Sequence, residues 1–131
     1  MSAHPFGTVP AAFSPDGEVG IFESNSILRS VARSAPDGTA LYGSSGYESS
    51  RIDSFLDAGL VFAREAQVYL LGMDSLSKET YDRMAAAYEF YLSGIEATLG
   101  NNKYLVGQSL SIADISFVCD FAQFLREGHT I

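Results

Sequence analysis

The 131-residue chain lacks several features that would assign a sequence quickly to a class of protein. Tryptophan is absent and Cys119 is the single cysteine, so the fold cannot depend on an internal disulfide. Basic residues number 8 against 16 acidic ones, and they are scattered along the chain rather than clustered. A net charge of −8 therefore argues against nucleic acid as a partner. No apolar run reaches the length of a membrane span, so we expect no membrane partner.

The single cysteine and the apolar content are typical of a packed protein in a reducing compartment, which predicts a cytoplasmic location. Apolar residues make up 47% of the chain, enough for a core. The two histidines, His4 and His129, stand near opposite ends without a partner at metal-ligand spacing. We therefore predict no metal site.

The first third of the chain predicts a β-hairpin followed by a short helix. Two apolar segments, 9–13 and 19–22, flank a Pro-Asp-Gly sequence at 15–17 that favours a tight turn. Apolar residues at helical spacing then indicate a helix from Ser24 to Ser34. Residues 35–46 are rich in Gly, Ser, Pro and Asp, so we predict a linker at 37–46 and place a first domain at 1–36.

The remainder, 47–131, predicts an all-helical domain. One helix is expected over 47–71. A second begins with Ser77 as its cap and ends at Gly100, which we expect to adopt a left-handed helical conformation. A third begins at Ser111, where Ser111 and Asp114 have the spacing of an N-terminal capping box. Cys119 lies on the apolar stripe of that helix, which predicts a buried thiol. The predicted fold class is thus α+β.

The pair Glu23-Ser24 has two interpretations. A serine at a helix start with an acid beside it is an ordinary cap, and taken alone that interpretation is favoured. The same geometry also suits a ligand carboxylate, because free backbone N–H groups and a partial positive field meet at a helix N-terminus. In that case Ser24 donates to the carboxylate and Glu23 accepts from a neighbouring ammonium.

Several motifs together resemble the cytosolic glutathione transferase superfamily. Val9-Pro10, a Pro-Asp-Gly hairpin and Glu23-Ser24 occur in that order within sixteen residues, and Tyr104-Leu105-Val106-Gly107 precedes the Ser111 box. The resemblance implies a partial thioredoxin-like domain, then the helical C-terminal domain. It implies glutathione as substrate, a cis Val9–Pro10 bond, and glutathione-binding roles for Thr8, Val9, Pro10, Glu23 and Ser24. Ser111 and Asp114 are implied to be structural.

A second resemblance covers segments 22–33, 41–43 and 52–57, which are similar to the transferase-like domain of the gamma subunit of the translation elongation factor complex. Two hypotheses follow. The first is a glutathione transferase that conjugates glutathione to small hydrophobic electrophiles. The second is a non-catalytic interaction domain of the same fold.

The family pattern also implies elements that this sequence does not contain. In the family a strand, a helix and a second strand precede Val9-Pro10 and carry the residue that activates the glutathione thiol. We therefore expect a chain truncated at its N-terminus and at its C-terminus, with no assignable catalytic residue and no conjugating activity by itself. The resemblance further implies a homodimer, with Tyr69, Tyr88 or Tyr91 beside the electrophile pocket.

Overall fold

The computed structural model describes residues 4–36, 39–71 and 77–126, together with their side chains except those of 65–71 and 123–126. The side chains of Tyr69 and His129 and the predicted break at 72–75 lie outside the described residues.

The first described elements form a two-stranded antiparallel hairpin. Strand β1 runs from Ala11 to Phe13 and strand β2 from Gly20 to Phe22, with Ala11 opposite Phe22. The connecting turn is closed by polar contacts, because the Ser14 hydroxyl donates to Asp16 and the amide of Val19 donates back to that hydroxyl at 2.9 Å. Gly17 has φ +77°, as expected of the glycine in this turn, although each strand is shorter than its predicted segment.

Within the described ranges, four helices follow the hairpin and confirm the predicted α+β fold class. Helix α1 spans Ser24–Arg33, α2 spans Gly46–Leu71, α3 spans Lys78–Leu99 and α4 spans Ile112–Arg126. Helix α2 thus begins at the last residue of the expected linker, one position earlier than predicted. We call residues 4–33 the hairpin unit and helices α2, α3 and α4 the bundle.

The residues at the two ends of α3 show how the sequence sets the length of this helix. The Ser77 hydroxyl accepts the amide of Thr80 at 3.2 Å, as expected of an N-cap. At the other end the amide of Gly100 bonds to Glu96 O at 2.9 Å, and Gly100 adopts φ +44° with ψ −108°. Its φ is positive as expected, but its ψ lies outside the left-handed helical region that we predicted.

The core is formed by the bundle, the loop that precedes α4 and Ala32 of α1. Its most enclosed aliphatic side chains are Ile52 and Leu56, each about 1% exposed. A second cluster joins α2 to α3, where Phe62 packs against Met84 and Tyr88 and lies parallel to Tyr91 at 5.1 Å between ring centroids. In the described part of the hairpin unit, only Asn25 and Ala32 are buried.

Candidate functional site

A cleft of about 300 Å³ opens between α1 and α4, and we call it the α1–α4 cleft. Two of the residues predicted to bind glutathione, Pro10 and Ser24, line it. Apolar side chains of α1 and α4 form most of its wall, while Cys119 and Asp120 contribute polar groups. The volume is at the lower end of the range for small-molecule sites.

The segment before β1 leaves its backbone accessible. Val9 is 91% exposed, and the Val9–Pro10 peptide bond is cis. The carbonyl oxygen of Thr8 lies 2.7 Å from His4 Nε2, and the His4 ring is stacked on Phe22. Thr8 and Val9 do not line the α1–α4 cleft, so this segment and the cleft are neighbouring surfaces joined at Pro10.

Glu23 has an uncommon backbone conformation at the entrance to α1. Its φ is +67° and its ψ is 126°, a combination that side chains with a Cβ rarely adopt. Its carbonyl accepts the amides of Ser26 and Ile27, which leaves those of Ser24 and Asn25 at the open end of the helix. The Glu23 side chain makes no capping hydrogen bond. The ordinary cap interpretation fails here, because Ser24 is the first helical residue rather than the cap.

The sequence analysis missed Asn25, which fixes α1 against the bundle. Its side chain is buried, Nδ2 donates to Leu56 O at 2.7 Å, and the Ser116 hydroxyl lies 3.4 Å from Oδ1. A polar residue in the first turn of a helix gives no periodic signal, so the sequence alone could not separate Asn25 from a solvated residue. Its bonds hold the first turn of α1, including Ser24, at a set distance from α2.

Cys119 and Asp120 correct the expectation for α4. The prediction that Cys119 is buried is wrong, because the thiol is exposed on the face of α4 that borders the α1–α4 cleft. Burial raises the pKa of the neighbouring Asp120 above its ordinary value, although a hydrogen bond from Ser116 opposes the shift. Burial, together with the Asp120 charge, also raises the pKa of Tyr91 to about 12.

A polar clamp joins the hairpin unit to α2. Arg29 Nε donates to Asp53 Oδ1 at 2.5 Å and Nη2 donates to Asp57 Oδ1 at 2.9 Å. The Tyr42 hydroxyl donates to the same Asp53 carboxylate, and the guanidinium of Arg33 lies over the Tyr42 ring at 4.9 Å. Burial lowers the pKa of Arg29, but its bonds to Asp53 and Asp57 outweigh that effect and raise it.

The predicted capping box at α4 has a different hydrogen-bond pattern from the expected reciprocal one. The amide of Ser111 donates to Asp114 Oδ2 at 2.9 Å, but the Ser111 hydroxyl also donates to that oxygen instead of accepting an amide. Asp114 Oδ1 accepts the amide of Leu105 at 2.8 Å. One carboxylate thus connects the start of α4 to the preceding loop.

The described residues contain neither a metal-binding cluster nor a membrane-spanning helix. No group of three or more His, Cys, Asp or Glu side chains in that part of the chain could hold a metal ion. No described helix is both long enough and apolar enough to cross a bilayer.

Comparisons with known proteins bear on both halves of the chain. The family model described as "Glutathione S-transferase, C-terminal domain" matches residues 52–128. Elongation factor 1-gamma 1 of Oryza sativa subsp. japonica is 35% identical, with 99% of this chain and 32% of that protein covered. Glutathione S-transferase F9 of Arabidopsis thaliana is 30% identical, with 88% and 57% covered.

The solved structures agree on the fold. A glutathione S-transferase from Xanthobacter autotrophicus Py2 has a TM-score of 0.78 at 21% identity, with 98% of this chain and 63% of that chain covered. The chain therefore spans about a third of the elongation factor relatives and rather more than half of the transferases. Because the family model matches more than half of its residues, the chain belongs to the glutathione S-transferase family through its C-terminal helical domain.

Proposed function

We propose that the chain binds glutathione at the junction of the hairpin and α1, with the γ-glutamyl end of the tripeptide at Ser24. The main observation behind the proposal is the backbone of Glu23. Its φ is positive at the entrance to α1, and its side chain makes no capping hydrogen bond that would stabilise this conformation. Unfavourable backbone conformations of this kind cost about 1–3 kcal/mol and cluster at ligand sites. The open amides of Ser24 and Asn25 are suited to a carboxylate.

Each predicted residue has a role in this proposal. The N–H and C=O of Val9 pair with the cysteinyl backbone of glutathione, and Val9 is exposed enough to do so. Thr8 and Pro10 border that contact on either side. Ser24 donates to the α-carboxylate of the γ-glutamyl group, while Glu23 accepts from its ammonium.

Binding and conjugation are separate parts of the proposal. In conjugation a thiolate of glutathione attacks an apolar electrophile, and stabilising that developing anion is electrostatic catalysis. We assign no described residue to activation of the thiol. The chain by itself is therefore expected to give no rate above the uncatalysed reaction when glutathione and chlorodinitrobenzene are mixed with it.

A second function, that of an interaction domain, is favoured by the polar clamp. Arg29, Tyr42, Asp53 and Asp57 all lie in the segments that resemble the elongation factor gamma subunit. Several relatives of this chain are elongation factor 1-gamma proteins. The clamp joins two parts of the fold without any catalytic group, which is what a rigid interaction module requires.

Calorimetric titration with glutathione distinguishes the two functions. We expect saturable binding that Ser24→Ala weakens by about tenfold to a hundredfold, because a hydrogen bond to a charged group contributes roughly 1.5–3 kcal/mol. Ser50→Ala is the matched control, since Ser50 is an exposed serine in the first turns of α2. No binding by a folded sample would exclude the glutathione site and leave the interaction domain.

We also propose an oligomeric state and a cellular location. We infer a homodimer, which sedimentation equilibrium would report as twice the mass of 14.1 kDa. A cytoplasmic location is supported by the single, exposed cysteine, which a reducing compartment would keep as a thiol. Imaging of a fluorescent fusion would test that location.

A further inference from the structure

The α1–α4 cleft combines an apolar wall with a carboxylate. Ile27 and Leu28 of α1 and Ile115 of α4 form much of the wall, and Asp120 is the acidic residue of the lining. No described lysine, arginine or histidine lines the cleft. Burial of a charge is costly unless the charge is paired. The cleft therefore has a negative charge that its own lining does not balance.

Asp120 is half-buried, and its charge is only partly compensated. The Ser116 hydroxyl bonds to Asp120 and favours the charged form, yet burial outweighs this bond and raises the pKa of Asp120 above its ordinary value. The folded chain thus holds this negative charge at a cost in stability. A carboxyl group with a raised pKa beside a cavity is a feature that functional sites share.

Ser116 adds a hydrogen-bond acceptor to the same part of the cleft. Its hydroxyl lies 3.4 Å from Asn25 Oδ1 and also bonds to Asp120, but a hydroxyl has one proton and donates to one of them at a time. The hydroxyl oxygen keeps lone pairs that can accept a hydrogen bond. A donor that enters the cleft therefore finds the oxygen atoms of Asp120 and Ser116 together.

We propose that the α1–α4 cleft binds an organic ammonium ion with an apolar body. The ammonium group donates to the Asp120 carboxylate and to the Ser116 oxygen. The apolar body lies against Ile27, Leu28 and Ile115. An organic carboxylate is repelled, and a neutral compound of the same shape leaves the Asp120 charge unpaired. A divalent metal ion is disfavoured because it requires several oxygen ligands, whereas an ammonium group needs only a few acceptors.

This site differs from the proposed glutathione site and does not rest on it. Glutathione is assigned to the backbone of Val9 and the first amides of α1, whereas the ammonium ion lies at the α4 wall of the cleft. The volume of about 300 Å³ restricts the ligand to a small molecule. Phenethylammonium, in which two carbons join a benzene ring to an ammonium group, is therefore a suitable probe.

Calorimetric titration of the full chain at pH 7 tests the proposal with phenethylammonium, neutral phenylethanol and anionic phenylpropionate. We expect phenethylammonium to bind at least about tenfold more tightly than phenylethanol, because a hydrogen bond between charged groups is gained, and phenylpropionate to bind least. Asp120→Asn keeps the shape of the side chain, so it should remove the preference for the ammonium ion and leave phenylethanol binding unchanged. Glu89→Gln, which removes an exposed carboxylate of α3 outside the cleft, should change neither ligand.

Nuclear magnetic resonance titration locates the bound ammonium ion. The amides of Ser116, Cys119 and Asp120 should shift with phenethylammonium, while that of Val9 should not. Because the amide of Val9 reports glutathione and those of α4 report the ammonium ion, failure of one site is distinguishable from failure of the other.

Three results would overturn the proposal. The first is equal affinity of the wild-type chain for phenethylammonium and phenylethanol, which would mean that the Asp120 charge makes no contribution. The second is equal weakening of phenethylammonium binding by Asp120→Asn and Glu89→Gln, which would indicate a general charge effect. The third is a set of amide shifts that lies outside the cleft.

Discussion

The hairpin unit and the bundle differ in how much apolar surface they bury. In the bundle, aliphatic side chains such as Ile52 and Leu56 are almost fully enclosed. In the hairpin unit, Phe6, Val9, Phe13 and Val19 are exposed. Its attachment combines the polar contacts of Asn25 and Arg29 with the packing of Leu28 and Ala32 against the core. Burial of apolar surface is the main source of folding free energy, so stability should reside in the bundle. The residues proposed to bind glutathione lie in the less stable part.

The largest expected effect comes from the bundle core. Ile52→Ala removes a side chain that is 1% exposed, so we expect a loss of about 2–5 kcal/mol from the free energy of unfolding. Val61→Ala, on the same helix but 64% exposed, should change it by less than about 0.5 kcal/mol. Urea denaturation followed by circular dichroism measures both. Equal effects would contradict the assignment of the core to this face of α2.

The next effect is expected at the connection between the two regions. Gly43 has φ +79°, and a Cβ there would lie 2.7 Å from Glu48 Cβ and 2.9 Å from the Ser49 nitrogen. Gly43→Ala is therefore expected to cost about 1–3 kcal/mol of stability. Gly46→Ala is the control, because nothing lies within 4 Å of its Cβ. If both variants melted at the wild-type temperature, the close approach of this turn to α2 would be wrong.

A smaller and more local effect is expected at the polar clamp. Arg29→Gln removes the bonds to Asp53 and Asp57, which are partly exposed, so we expect a loss of about 1 kcal/mol. Hydrogen exchange should become faster in α1 and stay unchanged in α3, because only the attachment of the hairpin unit is weakened. Lys78→Gln, which breaks an exposed pair with Asp82, should leave α1 unchanged. Uniformly faster exchange would mean that the two regions unfold together.

The smallest effect concerns Asp120, which faces the cleft between the two regions. Burial raises its pKa in the folded state, so the folded chain binds the proton more tightly than the unfolded chain does. The free energy of unfolding therefore falls as the pH rises from about 3.8, the pKa of Asp120 in the unfolded chain, through the raised pKa of the folded chain. This loss of stability persists at pH 7. Asp120→Asn should raise the melting temperature slightly at pH 7 and make no difference below about pH 3. Thermal melts across that range would show the trend, and a lower melting temperature at pH 7 would contradict it.

Helical periodicity and local turn and cap signals were sufficient to predict the helices and the hairpin. Stripes of apolar residues and the caps at Ser77 and Gly100 predicted α2 and α3 to within a residue where both ends are described. The hairpin followed from the Pro-Asp-Gly turn, because that sequence has a defined backbone geometry. These signals are local, so they need no knowledge of distant contacts.

Contacts between distant residues were not predictable in the same way. The clamp joins Arg29 to Asp53 and Asp57 across 24 and 28 positions, and no local pattern encodes that pairing. Cys119 is a second example. Periodicity placed it on the apolar stripe of α4, but whether another element covers that stripe depends on distant contacts, and the thiol is exposed. The backbone of Glu23 was likewise unforeseen, since the cap pattern at Glu23-Ser24 favours an ordinary helix start.

The central claim is that the hairpin unit binds glutathione while the bundle supports it. Nuclear magnetic resonance titration of the isotope-labelled chain with glutathione tests this claim residue by residue. We expect saturable shifts of the amides of Val9, Ser24 and Asn25 and small changes in α3. In Ser24→Ala the same shifts should reach half-saturation at a glutathione concentration at least about tenfold higher. Shifts confined to α2 and α3, or none in a folded sample, would contradict it.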